Sequence, residues 1–276
     1  MTRISTIITT YNRPEHLRRC LASLERQTLL PDEVIVADDG SDLEHVPALE
    51  EVVRESALAP RLVRQEHRGF RAAANRNNGA RAASGDLLLF LDGDIVLFPE
   101  AVERHAEACA GRFWTAGGVV PLSAEETRLL TLEQIRAGLD ALWPPADDPR
   151  VAVLARRDAK FRGRAAQRWL RLSEARMRSV RLITLQCAVP RRAFEHVNGF
   201  DERYVGWGRE DHDLSLRLQI AGVRGRSVIA AARAFHQWHP RAPIPEHDED
   251  EVRPSVNDAY YERRRWWRYR CREGLR

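Results

Sequence analysis

Residues 87–94 read LLLFLDGD. Five consecutive apolar residues leave no polar face, and the run is far too short for a membrane span. Such a segment fits a strand covered on both sides, as the central strands of parallel sheets are. It closes on Asp92-Gly93-Asp94, two carboxylates separated by a residue that lets the backbone turn closely. In open α/β sheets, ligands bind beyond the carboxyl ends of the strands. The fold and the site are therefore sought together, around Asp92 and Asp94.

Working outward, the flanking sequence alternates between two periods. Residues 4–10 (ISTIITT), 33–37 (EVIVA) and 61–65 (RLVRQ) read as strands, and residues 14–25, 43–55, 70–83 and 99–109 as helices. Pro14 opens the first helix, where proline's missing N–H costs nothing. Repeated strand–helix units with short connections predict an α/β fold, a mostly parallel central sheet flanked by helices. The second half is less regular. Residues 183–189 read as a strand, 210–221 as a helix, and 225–235 as containing a strand that ends near His236 and His239. Residues 143–149 read as a loop, 150–181 as a strongly basic segment helical in part, and 243–254 as an acidic loop bounded by prolines. No internal repeat interrupts this order. The expected organisation is one domain over 1–254 and a basic, aromatic helical extension over 255–276.

Composition narrows the class. The chain has 276 residues, 43% hydrophobic and 30% charged, which fits a folded α/β domain and excludes wholesale disorder. The net charge of +4 is too small to name a partner. Its 44 basic residues include one lysine, Lys160; guanidinium groups bind phosphates and carboxylates in a bidentate way, although arginine usage also follows genome composition. No apolar run approaches the roughly 18 residues of a membrane helix, and no secretion signal is visible at residues 1–13. The four cysteines, Cys20, Cys109, Cys187 and Cys271, match no zinc or disulfide spacing. The expected location is cytoplasmic.

Asp92 and Asp94 suit one hard divalent cation, which in turn bridges and stabilises a diphosphate. Downstream, Gly206-Trp207-Gly208 sets a large flat ring on a flexible loop, as a sugar-stacking wall requires. Glu210-Asp211 follows at a helix start, a position the helix dipole favours for carboxylates whether or not they act in chemistry. Imidazole is a good Mn²⁺ ligand beside carboxylates, so His236 and His239 are both candidates.

The ordered set STIITTYNRP (5–14), EVIVADDGS (33–41), HRGFRAAANRNNGARAASGDLLLFLDGDI (67–95), VNGFDERYVGWGREDHDLSLRLQIAG (197–222) and AFHQWHP (234–240) resembles glycosyltransferase family 2, with the GT-A fold. The GWGRED segment is similar to that of galactosyltransferase-like members. The resemblance implies a metal-dependent inverting transfer of a sugar from a UDP-sugar to a hydroxyl of a glycan or glycolipid acceptor, in bacterial surface polysaccharide or lipopolysaccharide synthesis. It implies that Thr9 and Tyr11 line the nucleotide pocket, that Asp39 accepts the uracil imide hydrogen, and that Arg71 and Asn75 lie against base and ribose. Asp92, Gly93 and Asp94 would meet ribose and metal, with Asp94 and His236 holding Mn²⁺ or Mg²⁺; His239 stands as the alternative ligand. Trp207 and Gly208 would border sugar and acceptor. Glu210 and Asp211 would face the acceptor, with Asp211 as general base. Leu185-Gln186-Cys187 stands where related chains often carry a Gly-Asn pair, and is expected to approach the donor sugar.

Two other readings remain at this point: a non-catalytic nucleotide- or glycan-binding module of the same fold, and a polyprenyl-phosphate sugar transferase. The basic segment at 150–181 and the tail, where Trp266, Trp267 and Tyr269 interleave with arginines, would suit peripheral contact with an anionic membrane face or an acidic glycan. The tail equally suits a helix packing its aromatics on the core. No nucleic-acid motif accompanies the charge, so nucleic acid is not an expected partner.

Overall fold

The computed structural model describes residues 2–166, 180–240, 255–264 and 268–276; the acidic loop at 243–254, the stretch 167–179, Trp266 and Trp267 lie outside these. The chain runs β1 (Ile4–Thr10), α1 (Pro14–Leu24), β2 (Glu33–Asp38), α2 (Val46–Glu55), β3 (Arg61–Arg64), α3 (Ala72–Ala82) and β4 (Leu87–Asp92). Next come β5 (Ile95–Leu97), α4 (Ala101–Cys109), β6 (Phe113–Ala116), β7 (Val120–Pro121), α5 (Ala124–Leu129), α6 (Leu132–Ala137) and the basic α7 (Pro149–Ala166). The remainder comprises β8 (Gln186–Pro190), α8 (Arg191–His196), α9 (Glu210–Ile220), β9 (Arg224–Ser227), β10 (Ala234–His236) and α10 (Val256–Arg263).

Seven strands form the main sheet in the order β3-β2-β1-β4-β8-β6-β9. The first four are parallel; β8 runs antiparallel to both β4 and β6, and β9 is parallel to β6. This is the expected mostly parallel sheet with helices. The period-two rule divides its core cleanly. Ile7, Ile35, Leu88 and Phe90 face one layer, packing with Ala73 and Ala80 of α3, Phe194 of α8, and Leu214 and Leu218 of α9. Ile8, Val34, Val36, Leu87, Leu89 and Leu91 face the other, against Leu17 and Leu21 of α1, Leu49 and Val52 of α2, and Val102 of α4. Burying each such side chain contributes about 1.5–3 kcal/mol, so β4, buried on both faces, anchors the sheet.

A second sheet of three strands has the order β5-β10-β7. The strand expected within 225–235 is two strands in different sheets, because a turn breaks it: the Ala231 and Ala232 N–H groups both donate to the Val228 carbonyl. β6 went unanticipated; four residues closely followed by Gly117-Gly118 give no readable period.

The C-terminal residues pack onto the body. Tyr261 of α10 is buried with Tyr204 and Leu216. Further on, the Leu275 N–H donates to the Asn198 carbonyl at 3.0 Å, and Arg81 donates to the Gly274 carbonyl at 2.6 Å. Tyr269 stacks on His196, with ring centroids 4.8 Å apart. Among the described residues, no helix is long and apolar enough to cross a membrane.

Candidate active site

The ends of β1, β2 and β4 lie side by side, with Thr9 opposite Asp92 and Thr10 opposite Asp38. The Thr9 hydroxyl donates to Asp92 Oδ1 at 2.9 Å. One residue on, the Gly93 N–H donates to the Thr9 carbonyl at 2.8 Å, and a Cβ at Gly93 would stand 2.8 Å from that same oxygen. The two backbones approach so closely that only glycine fits there without displacement. Asp92 and Asp94 thus leave the strand end on a fixed turn.

Asp92 has a second partner that the sequence reading missed. Arg76 of α3 donates from Nη2 to Asp92 Oδ1 at 2.9 Å and from Nη1 to Glu210 Oε1 at 3.0 Å. Its side chain is 5% exposed. One buried guanidinium therefore joins the Asp92-Gly93-Asp94 turn to the start of α9. The available signal was composition: α3 buries Ala72, Ala73, Ala74, Asn75, Asn77, Gly79 and Ala80 around Arg76. An arginine among small residues packed on all sides must find carboxylates.

The second cluster is made by register. β10 runs antiparallel to β5 with His236 opposite Ile95, and the Gln237 N–H donates to the Asp94 carbonyl at 2.9 Å. Pairing so close to Asp94 brings the segment 236–239 over its carboxylate. His236 Nε2 lies 3.6 Å from Asp94 Oδ1, and His239 Nε2 lies 3.1 Å from Oδ2. Ligand atoms of the three residues lie within 4.8 Å of one another, a candidate metal site. Both histidines left open by the sequence converge on the same carboxylate. The donor chemistry fits a divalent transition ion: one carboxylate, two imidazoles, and an Asp94 Oδ1 that is buried without a hydrogen-bond partner. Burial works to raise the Asp94 pKa, but His239, His236 and Arg13 outweigh it and hold the carboxyl below its usual range. The His239 pKa is raised by its bond to Asp94, against the opposing effect of burial.

At the start of α9, burial raises the Asp211 pKa to about 6, opposed by the charge of Arg76 and by the His212 N–H on Oδ1. Glu210 is also raised, by burial and by the charge of Asp211. Its Oε2 is buried with no partner. Two adjacent carboxyls, only one of them bonded to Arg76, so occupy different environments. The ring of Trp207 is 80% exposed on the preceding loop.

On the β2 side, Asp39 accepts from Gln65 Nε2 and, at 3.0 Å, from the Arg71 backbone N–H. Burial raises its pKa against those two bonds. Tyr11 stacks on His67, with centroids 4.9 Å apart and planes 18° from parallel. Asn75, expected against base and ribose, is 2% exposed and donates its amide to the Ala37 carbonyl at 2.8 Å, so that amide braces β2 from beneath. Gln186 turns inward. It is fully buried, hydrogen-bonded by His105 at 3.2 Å and donating to the Gly118 and Ala232 carbonyls. Its side chain is committed to that buried network, while the neighbouring Leu185 carbonyl accepts from the Asp92 N–H at 3.2 Å.

The profile of "Glycosyl transferase family 2" matches residues 5–192 and that of "N-terminal domain of galactosyltransferase" matches residues 167–240. The chain belongs to glycosyltransferase family 2. It is 34% identical over 236 residues to a validoxylamine A glucosyltransferase of Streptomyces hygroscopicus subsp. limoneus, covering 80% of this chain and 48% of that protein. It is 31% identical over 255 residues to a chondroitin synthase of Escherichia coli, covering 86% of this chain and 35% of the relative. The chain thus spans about half or less of these relatives' lengths. Among solved structures it resembles the mannosyltransferase PcManGT of Pyrobaculum calidifontis in complex with GDP-Man and Mn²⁺, with a TM-score of 0.54, 18% identity, and coverage of 86% of this chain and 57% of the other. It also resembles S. aureus TarS, with a TM-score of 0.57, 16% identity, and coverage of 86% and 37%. These likenesses show the fold.

Proposed function

We propose that the protein transfers a sugar with inversion from a UDP-sugar to a hydroxyl of a glycan or glycolipid acceptor. The observation that carries this reading is that Arg76 ties Asp92 to Glu210, beside Asp211, with Gly93 alone between Asp92 and the Asp94–His236–His239 cluster. Asp94 Oδ1 and Glu210 Oε2, both buried without a hydrogen-bond partner, flank that arrangement and favour a site that takes ligands.

Asp39 and Tyr11 take the base, and Thr9 and Asp92 the ribose side. Asp94, His236 and His239 would hold a Mn²⁺ ion, which when bound neutralises charge on the departing diphosphate. Asp211 accepts the acceptor's hydroxyl proton as the new oxygen–C1 bond forms and the C1–phosphate oxygen bond breaks on the opposite face. A carboxyl with a pKa of about 6 is mostly ionised at neutral pH yet more basic than an ordinary aspartate, which suits it to that transfer. Trp207 supplies a flat apolar wall against a sugar ring. The reading extends to synthesis of a bacterial surface glycan, with the exposed arginines of α7 facing an acidic acceptor or an anionic membrane surface.

UDP release from a panel of UDP-sugars, each with a panel of simple glycoside acceptors, tests the reading in MnCl₂ and in EDTA. Release that depends on Mn²⁺ and is lost in Asp211→Asn is expected. Release from GDP-mannose alone, or full turnover by Asp211→Asn, overturns it.

A further inference from the structure

We infer that Asn257, on the C-terminal helix α10, is a positioning residue that holds the Trp207 loop in its working shape. The inference rests on the proposed role of Trp207 as a sugar wall. The loop is held from two sides. At one edge the Gly206 N–H donates to the Phe70 carbonyl, just before α3, at 2.8 Å. At the other, the Asn257 amide donates to both the Trp207 carbonyl at 3.2 Å and the Gly208 carbonyl at 3.0 Å.

The loop needs such restraint. Gly206, Gly208 and Arg209 all have left-handed φ, of 81°, 93° and 78°. For Arg209 that conformation is disfavoured and persists only where neighbours impose it. Two glycines beside it give the backbone many alternatives. Trp207, 80% exposed, gains almost nothing from packing, so its direction follows the loop backbone. Asn257 itself is 4% exposed. Both hydrogen bonds of its amide cross to the loop.

The helix has its own anchors. Tyr260 donates to Asp201 Oδ2 at 2.8 Å, Arg264 Nε reaches Asp213 Oδ1 at 2.9 Å, and Asp258 pairs with Arg209. Tyr261 is buried against Tyr204 and Leu216. Removing the Asn257 amide leaves those contacts in place, so the Trp207–Gly208 segment is freed while Asp258 still holds Arg209 and the helix stays docked. The C-terminal helix then holds the loop at two points, Arg209 through Asp258 and the Trp207 backbone through Asn257.

Asn257→Asp keeps the shape and replaces the donor with an acceptor facing two carbonyls. Hydrogen exchange should quicken at least tenfold over residues 205–209 while residues 256–264 keep their wild-type rate. In UDP-release kinetics with the donor and acceptor found in the panel above, the acceptor KM should rise at least fivefold with kcat within twofold. Trp207→Ala should raise it similarly, and the double variant should be no worse than Trp207→Ala. Wild-type exchange at 205–209 in Asn257→Asp overturns the inference, as does a double variant that multiplies the two single effects. If no donor turns over, the transferase reading falls and the exchange measurement alone decides the clamp.

Discussion

Replacing Arg76 with methionine removes the cation that joins the two halves of the site while keeping most of the side chain's volume. Its guanidinium contacts Asp92 at 2.9 Å and Glu210 at 3.0 Å, and the side chain is 5% exposed. Breaking a buried ion pair by deleting one partner costs about 3–5 kcal/mol, because the other charge is left uncompensated. At roughly 2–4 °C per kcal/mol for domains approaching this size, Tm should fall by about 6–20 °C at neutral pH. The loss must also depend on pH, with a definite sign. The charge of Arg76 lowers the pKa values of Glu210 and Asp211, so deleting it raises them further above their unfolded values. A folded state that binds protons more readily than the unfolded state loses stability as pH rises through the folded pKa. The variant's deficit should therefore be smaller near pH 5, where the Asp92 contact still counts, and largest near pH 8. Calorimetric melts of wild type, Arg76→Met and Arg76→Lys across that range measure it, with the lysine variant intermediate. A deficit that stays constant with pH, or a Tm within 2 °C of wild type at pH 8, would refute the bridge.

With Asp211 as base, transfer should fall tenfold per pH unit below an acid limb near pH 6, and Asp211→Asn should lose the limb together with at least a hundredfold of the rate, read by UDP release. Asp94→Ala and His239→Ala should each weaken Mn²⁺ binding at least tenfold by calorimetry; affinity should also fall as pH falls, because His239 carries a raised pKa and must lose its proton to ligate. Restoring EDTA-treated enzyme should favour Mn²⁺ over Mg²⁺, since two of the three ligands are imidazoles. Gly93→Ala should reduce activity and lower Tm, because its Cβ would meet the Thr9 carbonyl at 2.8 Å; wild-type values for both would show that the turn relaxes freely.

The first half of the fold was legible because each element carried its own period. Residues 87–91 had no polar face and became the strand buried on both sides, and the helices around it showed single apolar stripes. The structure added Asp92 to that strand, since Thr9 opposite it supplies both a register partner and a hydroxyl. The second half was less legible because its strands are short and their partners distant. β6 pairs with β8 and β9, at separations that no local pattern announces. Gln186 illustrates the same limit: its place in the chain pointed toward the donor, whereas strand alternation turned its side chain into a buried network with His105.

The site itself was legible as motifs and not as connections. Carboxylates and imidazoles announce themselves by type, so Asp92, Asp94, Glu210, Asp211, His236 and His239 all stood out. What joins them did not. Arg76 is one of many arginines in a chain with a single lysine, so its type carried no signal; burial among alanines is what distinguishes it. His236 and His239 stood as alternatives because only β10's register shows that both rings reach one carboxylate. Asn257 lies in a tail whose aromatic and basic composition drew attention to its surface and away from its one buried amide. Arg76 reaches Glu210 across 134 positions, Asn257 reaches the Trp207 and Gly208 carbonyls across 50 and 49, and His239 comes to Asp94 only when β10 pairs with β5. The residues that do chemistry are chosen by the properties of their own atoms, whereas those that position them are chosen by neighbours, and neighbours exist only once the chain has folded.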